Sequence, residues 1–387
     1  GDQLVFVEPE SEHSAATFCE GFALSGGRVT NFTSGQGLVL MKEVLYTISG
    51  KRLPVVFNIG SRALTSQSLN VHCGHDDVMS VADCGWGILF GRNAQEAGDL
   101  CLISRRAAEN SSTPFMNVQD GFLTTHTVES VLIMETEFMK EYVGKPEDKL
   151  TNLMDPESPI MSGVVQNQDS YMKGKISQRW YYDQVEDHLQ EAFEEFYRKT
   201  GRRYDFIDAY RCEDAEYILV GIGSYMETAQ ITIDYLRDEK GIKAGCLNLY
   251  CFRPFPARQL VEALSHCKAF TVIERMDDPL STTGNHLTRE VKAAFCDAQN
   301  GQNGMPRVEQ IPRIYHGAAG LGSRDVRPGD INAIFDNMIE DGQDFFCVGI
   351  KHALSLTLSD DPDLRPEGAY SMRGHSVGGF GSVTTNK

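Results

Sequence analysis

Three short stretches carry the side chains best placed to do chemistry. Glu12, in Ser11-Glu12-His13-Ser14, follows an apolar run and stands where a helical pattern begins. A carboxylate there is either a solvated partner of the helix dipole or a ligand-facing group at the carboxyl end of a strand, where open α/β sheets gather their ligands. Arg62 holds the same position after the apolar run 54–59. Its guanidinium could pair on the surface, or its planar fork could hold a small carboxylate. Between them, Thr33-Ser34-Gly35-Gln36-Gly37 makes a loop small enough for a ligand to approach its backbone. The three loops should converge on one sheet edge.

Other pairs are less specific. His75 with Asp77, and Asp120 with His126, are acid–base or metal-ligand types, yet neither has a metal-site spacing or an accompanying nucleophile motif. They are read as shaping the site. Gly221-Ile222-Gly223-Ser224 could form an anion nest between a strand and a helix, or simply let two domains pack. Among the ten cysteines the nearest pairs, Cys246/Cys251 and Cys73/Cys84, lack C-x-x-C spacing. Any iron–sulfur centre is therefore expected outside this chain.

The elements that must position these groups come from hydrophobic periodicity. Strands are expected at 4–8, 29–33, 54–59, 86–90 and 115–118, with helices at 15–24, 38–48 and 94–109. A Pro-, Asp-, Ser- and Gln-rich stretch follows, then an amphipathic helix near 178–199 with Trp180, Val185, Leu189, Phe193 and Phe196 on its apolar face. A second alternation places strands at 217–223, 244–252, 269–274 and 308–315, with helices at 224–239, 257–266, 287–300 and 329–340. Strand–helix alternation implies crossover connections, so the expected class is α/β, with two doubly wound, mainly parallel sheets. The expected division is 1–143, a linker at 144–203, 204–345, and a connector at 346–387 that contains the run 346–352. The chain lacks an initiator Met and stops just after the glycine-rich turn Arg373–Ser382. Sequence is expected to be missing on both sides.

Composition narrows the partners. The 387 residues carry a net charge of −18 without a compensating basic cluster, which argues against nucleic-acid binding. No apolar run approaches the roughly 20 residues of a membrane span, and no signal segment opens the chain. With cysteines scattered singly, a soluble protein of a reducing cytoplasm is expected.

Taken in order, Val7-Glu8-Pro9-Glu10-Ser11-Glu12-His13-Ser14-Ala15, Thr33-Ser34-Gly35-Gln36-Gly37-Leu38, Ser61-Arg62-Ala63-Leu64 and Asp120-Gly121-Phe122 resemble the pyrimidine-binding domain of pyruvate:ferredoxin (flavodoxin) oxidoreductases. The second half is similar to the family's transketolase-C-like domain through Gly221–Ala229, Phe252-Arg253-Pro254-Phe255, Glu274-Arg275 with Pro279, Tyr315-His316-Gly317, Gly320–Ser323 and Phe346–Ile350. Residues 378–387 resemble the opening of its gamma-type domain. This resemblance implies that Glu12 hydrogen-bonds the aminopyrimidine ring of thiamine diphosphate, that Thr33, Ser34, Gly35 and Gln36 help to hold that cofactor, and that Arg62 holds the substrate carboxylate. It implies oxidative decarboxylation of a small 2-oxoacid, pyruvate first, to acyl-CoA, with coenzyme A as co-substrate and ferredoxin or flavodoxin as acceptor. Mg2+ and [4Fe-4S] clusters would lie on other domains or subunits of a homodimeric or larger assembly, and this fragment alone would be inactive. Two departures stand out: Cys73-Gly74-His75-Asp76-Asp77 where the family usually reads Gly-Asp-His-Gln-Asp, and Leu123 where it usually has arginine.

Two rivals are carried. A thiamine-dependent 2-oxoacid dehydrogenase or transketolase-like component would end after the second domain, which the glycine-rich stretch near 378–387 opposes. A scaffold that lost its chemistry would have no reason to keep both Glu12 and Arg62.

Overall fold

Two blocks of strand–helix alternation fold into two twisted sheets, in a computed structural model that describes residues 4–358 and 360–370. The first block comprises α1 (Glu12–Leu24), β1 (Thr30–Thr33), α2 (Gln36–Leu40), α3 (Lys42–Gly50), β2 (Val56–Ser61), α4 (Asp76–Ser80), β3 (Gly87–Gly91), α5 (Ala94–Ser111) and β4 (Phe115–Asp120). Side chains begin the helices that matter here: Ser11 accepts from Ser14 N at 3.3 Å to cap α1, and Asn93 accepts from Glu96 N at 2.9 Å to cap α5. The connecting region supplies α6 (Thr136–Val143), α7 (Pro146–Lys149), α8 (Tyr171–Ser177), α9 (Arg179–Tyr182) and α10 (Val185–Thr200).

The second block comprises β5 (Ile207–Tyr210), β6 (Tyr217–Gly221), α11 (Tyr225–Asp238), β7 (Ala244–Leu249), β8 (Cys251–Arg253), α12 (Ala257–Leu264), β9 (Ala269–Glu274), α13 (His286–Asn300), β10 (Arg313–Ala318), α14 (Pro328–Ile339) and β11 (Phe345–Cys347). Sheet order is β1-β2-β4-β3-β8 in the first and β11-β10-β9-β6-β7-β5 in the second. Pairings are parallel except at β8 and β5, each antiparallel at a sheet edge. Crossover helices cover both faces of such sheets, which explains why β3, β7 and β9 are buried along their whole length. One face of the first sheet packs on α1 and α3. The other packs on α5 and α10 through an aromatic cluster that includes Tyr142, Phe193, Phe196 and Phe206.

Several expectations need correction. No strand forms at 4–8: Leu4, Val5 and Phe6 are exposed, because an apolar run becomes a strand only where a neighbour supplies hydrogen bonds. The helix expected at 178–199 breaks into α9 and α10, and Trp180 is 70% exposed. Val185, Leu189, Phe193 and Phe196 repeat at helical spacing, whereas Trp180 precedes Val185 by five residues, about 140° around the helix. The strand expected at 308–315 starts only at Arg313, because Pro312 lacks the N–H a ladder requires. The run 244–252 divides at Tyr250: β7 belongs to the second sheet, and β8 crosses to pair with β3 of the first. The glycine-rich turn at 373–382, and the whole of 378–387, lie outside the described residues.

Candidate active site

Strands β1, β2 and β4 are parallel neighbours, so Thr33, Ser61 and Asp120 end at one edge. Helix α1 runs back against β1, which follows it, and therefore delivers its first residue, Glu12, to the same edge. The meeting point is Gly37. A Cβ there would lie 2.8 Å from Glu12 Cγ and 2.9 Å from both Glu12 Oε1 and Thr33 Oγ1, so only glycine lets these two side chains approach. Glu12 itself is exposed.

Arg62 is brought in by a buried carboxylate. Asp77 Oδ2 accepts from Gly35 N at 2.8 Å and from Arg62 N at 2.9 Å, while its Oδ1 accepts from Val78 N at 2.7 Å. One side chain thus pins the loops after β1 and β2 to each other. Gly35 has φ +58° and ψ −133°, a backbone that side-chain-bearing residues avoid, and a Cβ on it would face Arg62 Cβ at 3.6 Å. Burial pushes the Asp77 carboxyl up to about 7, against three N–H donors that pull it down.

The Arg62 guanidinium lies 5.2 Å from the centroid of Phe122, which stacks on His126 at 4.3 Å. Its Nε is buried without an acceptor, and among the described residues it has no carboxylate partner. It borders a cleft of about 310 Å³ whose other walls include Thr33, Ser34, Gln119, Thr125 and His126. Gln36 turns elsewhere, donating from Nε2 to Thr65 Oγ1 at 2.7 Å. The edge therefore gathers Glu12, Thr33, Ser34, Gly35 and Arg62, and leaves the Gln36 side chain outside.

The histidine–aspartate pairs form differently from their order in sequence. His75 Nε2 meets Asp120 Oδ1 at 2.8 Å, not Asp77, while His126 Nδ1 meets Thr125 Oγ1 at 2.8 Å. Asp120 Oδ2 accepts from Ser224 N at 2.9 Å and Ser224 Oγ at 2.7 Å, with the Arg275 guanidinium 3.3 Å away. The nest at Gly221-Ile222-Gly223-Ser224 is thus filled by a carboxylate of the neighbouring sheet. Cys73, His75 and Asp120 offer metal-ligand atoms within 4.8 Å of one another, but Arg275 already neutralises Asp120 and burial keeps the Cys73 thiol protonated. The cluster is a knot between the two blocks.

That knot has a measurable consequence. Although burial alone would raise it, Asp120 is held well below the usual carboxylate range by Arg275 and His75. The unfolded value is 3.8. A depressed folded pKa means that the stabilisation is present above that value and is lost as pH falls below it. At neutral pH Asp120→Asn should destabilise the protein by about 3–5 kcal/mol, because Arg275 is left buried without its counter-charge. Urea titration checks this, and the penalty should shrink as the medium is acidified below about pH 4.

A family model described as pyruvate flavodoxin/ferredoxin oxidoreductase, thiamine diphosphate-binding, matches residues 1–194, and one described as pyruvate:ferredoxin oxidoreductase core domain II matches 215–331. The pyruvate synthase subunit PorA of Thermotoga maritima is 35% identical over 335 residues, spanning 86% of this chain and 82% of that subunit. The pyruvate:ferredoxin oxidoreductase of Moorella thermoacetica is 31% identical over 394 residues, spanning 100% of this chain but only 33% of that enzyme. A 2-oxoglutarate:ferredoxin oxidoreductase from Magnetococcus marinus, solved with 2-oxoglutarate, coenzyme A and succinyl-CoA bound, superposes with a TM-score of 0.57 at 15% identity. It covers 86% of this chain and 57% of that one, a likeness of fold.

Proposed function

The chain belongs to the pyruvate:ferredoxin (flavodoxin) oxidoreductase family, and from that premise we propose that it supplies the pyrimidine side of a thiamine diphosphate site and the carboxylate anchor for a 2-oxoacid. The whole enzyme would convert a small 2-oxoacid, pyruvate first, to acyl-CoA and carbon dioxide, passing electrons through iron–sulfur clusters to ferredoxin or flavodoxin. The observation that supports this best is Arg62: a cation whose buried Nε meets no acceptor among the described residues, borne on a loop that Asp77 fixes beside the Glu12 and Thr33–Gly35 edge.

The residues present fit the cofactor. Thiamine diphosphate supplies the electron sink that decarboxylation requires. In our reading Glu12 hydrogen-bonds a ring nitrogen of its pyrimidine, Thr33, Ser34, Gly35 and the backbone of Gln36 form the adjoining wall, and Arg62 holds the acid. Residues 1–143 are the pyrimidine-side unit, 144–203 a linker, 204–345 the transketolase-C-like unit and 346–387 a connector leading into a gamma-type unit. Mg2+ and [4Fe-4S] clusters belong to other domains or subunits, coenzyme A is the acyl acceptor, and the assembly is a homodimer of a reducing cytoplasm. No helix among the described residues is long and apolar enough to cross a membrane.

Two measurements test this. The assembled enzyme should reduce ferredoxin or a viologen dye only when 2-oxoacid and coenzyme A are both present. This chain alone should purify without iron and bind thiamine diphosphate weakly, since its cysteines are free and mostly buried singly, and half a site contributes only part of the binding energy. Stoichiometric iron by metal analysis, or micromolar affinity by calorimetry, would contradict the division of labour proposed here.

A further inference from the structure

Arg62 is oriented by a ring and not by an acid. Its buried Nε meets no acceptor among the described residues, and its Cζ lies 5.2 Å from the centroid of the Phe122 ring. That ring is itself held: His126 stacks on it at 4.3 Å with the two planes 4° apart, and His72 leans on it at 4.6 Å and 59°. The backbone beneath it is bent to put it there. Phe122 has φ +63°, the left-handed region that a bulky side chain rarely enters. The turn after β4 enforces this, with Gly121 N donating to Ser61 O, Phe122 N to Thr125 Oγ1 and Thr124 N to Asp120 O, each at 2.9 Å. Such a conformation persists only where the surroundings over-determine it, and conformations of this kind cluster at functional sites. Here the first of the three bonds ties the turn to the residue that precedes Arg62.

A carboxylate beside the guanidinium would hold it more strongly, but would neutralise its charge and occupy its N–H donors. An aromatic face attracts a cation through the ring quadrupole and takes no donor. The fork therefore stays open to a ligand. Resting on the reading of Arg62 as the carboxylate anchor, we infer that Phe122 is its positioning residue: the left-handed turn after β4 sets the ring, and the ring sets the guanidinium for the 2-oxoacid. Phe122 acts through Arg62 alone. Its removal weakens binding of the acid and leaves the later chemistry at the cofactor as it is.

The test uses the full enzyme with all its domains and pyruvate as substrate. Phe122→Leu keeps an apolar side chain but loses the ring face, and should raise KM by about 3- to 30-fold, the range of a partly desolvated cation–ring contact. Its kcat and thiamine diphosphate loading should stay within about twofold of wild type. Phe122→Tyr keeps the ring and should bring KM back to within about twofold. In an Arg62→Gln background Phe122→Leu should change KM by less than about twofold, because no cation remains for the ring to hold. If Phe122→Leu alone raised KM by less than about threefold while Arg62→Gln kept its loss, the inference would fall and the anchor reading would stand. Equal losses for Phe122→Leu and Phe122→Tyr, a loss that fell on kcat, or poor cofactor loading would mean that Phe122 only fills space, and would overturn the inference too. If Arg62→Gln itself cost nothing, the anchor reading would fall and this inference with it.

Discussion

Glu12→Gln in the full-length enzyme should leave folding nearly intact and slow exchange of the thiazolium proton for deuterium by roughly two to four orders of magnitude. The structural cost is small because Glu12 is exposed and the N-cap of α1 is Ser11, which the substitution leaves in place. The chemical cost is large because an amide can still hydrogen-bond a ring nitrogen but cannot stabilise the added proton there as a carboxylate does. A positioned acid–base partner contributes about that much. Exchange followed by NMR in the cofactor-loaded variant reads this step without any turnover. An unchanged rate would return Glu12 to the role of a solvated carboxylate at a helix start.

Arg62→Gln should cost on the order of 10- to 150-fold in kcat/KM, the equivalent of one charge-assisted hydrogen bond of about 1.5–3 kcal/mol. Cofactor loading should change little, since an anchor for the acid need not touch the pyrimidine. Arg62→Lys should recover only part of the loss, as a point charge replaces a planar fork. Steady-state kinetics with pyruvate and 2-oxobutyrate decide the matter. Retention of kcat/KM within about threefold, under ~0.7 kcal/mol, would make Arg62 a structural arginine and move the anchor elsewhere.

The sheets were legible because buried parallel strands are written as short apolar runs between helical periods, and β2, β4, β6 and β9 lie where those runs stand. The convergence of Thr33 and Arg62 was legible because they sit where such runs end, whereas Glu12 reaches the same edge from the start of α1 and not from a strand, since none forms at 4–8. What escaped depends on contacts distant in sequence. Asp76 and Asp77 are adjacent acids with the same local surroundings, and only the folded chain shows that Asp77 is the one turned inward to hold Gly35 and Arg62. Asp120 finds Ser224 and Arg275 far down the chain, so its apparent pairing with nearby His126 misled. The run 244–252 looked like one strand because alternation does not say to which sheet a residue pairs.

The placement of β8 bears on how the protein is made. The first sheet's edge at β3 is closed by Cys251–Arg253, which leave the ribosome long after β4 has been completed at Asp120. At about 5–20 residues per second, the nascent sheet waits on the order of ten seconds with a row of unpaired backbone groups presented to the cell. Open edges of this kind recruit foreign strands. Synthesis speed between Asp120 and Cys251, and the availability of chaperones during that interval, should therefore govern the yield of folded protein more than the stability of the finished fold does.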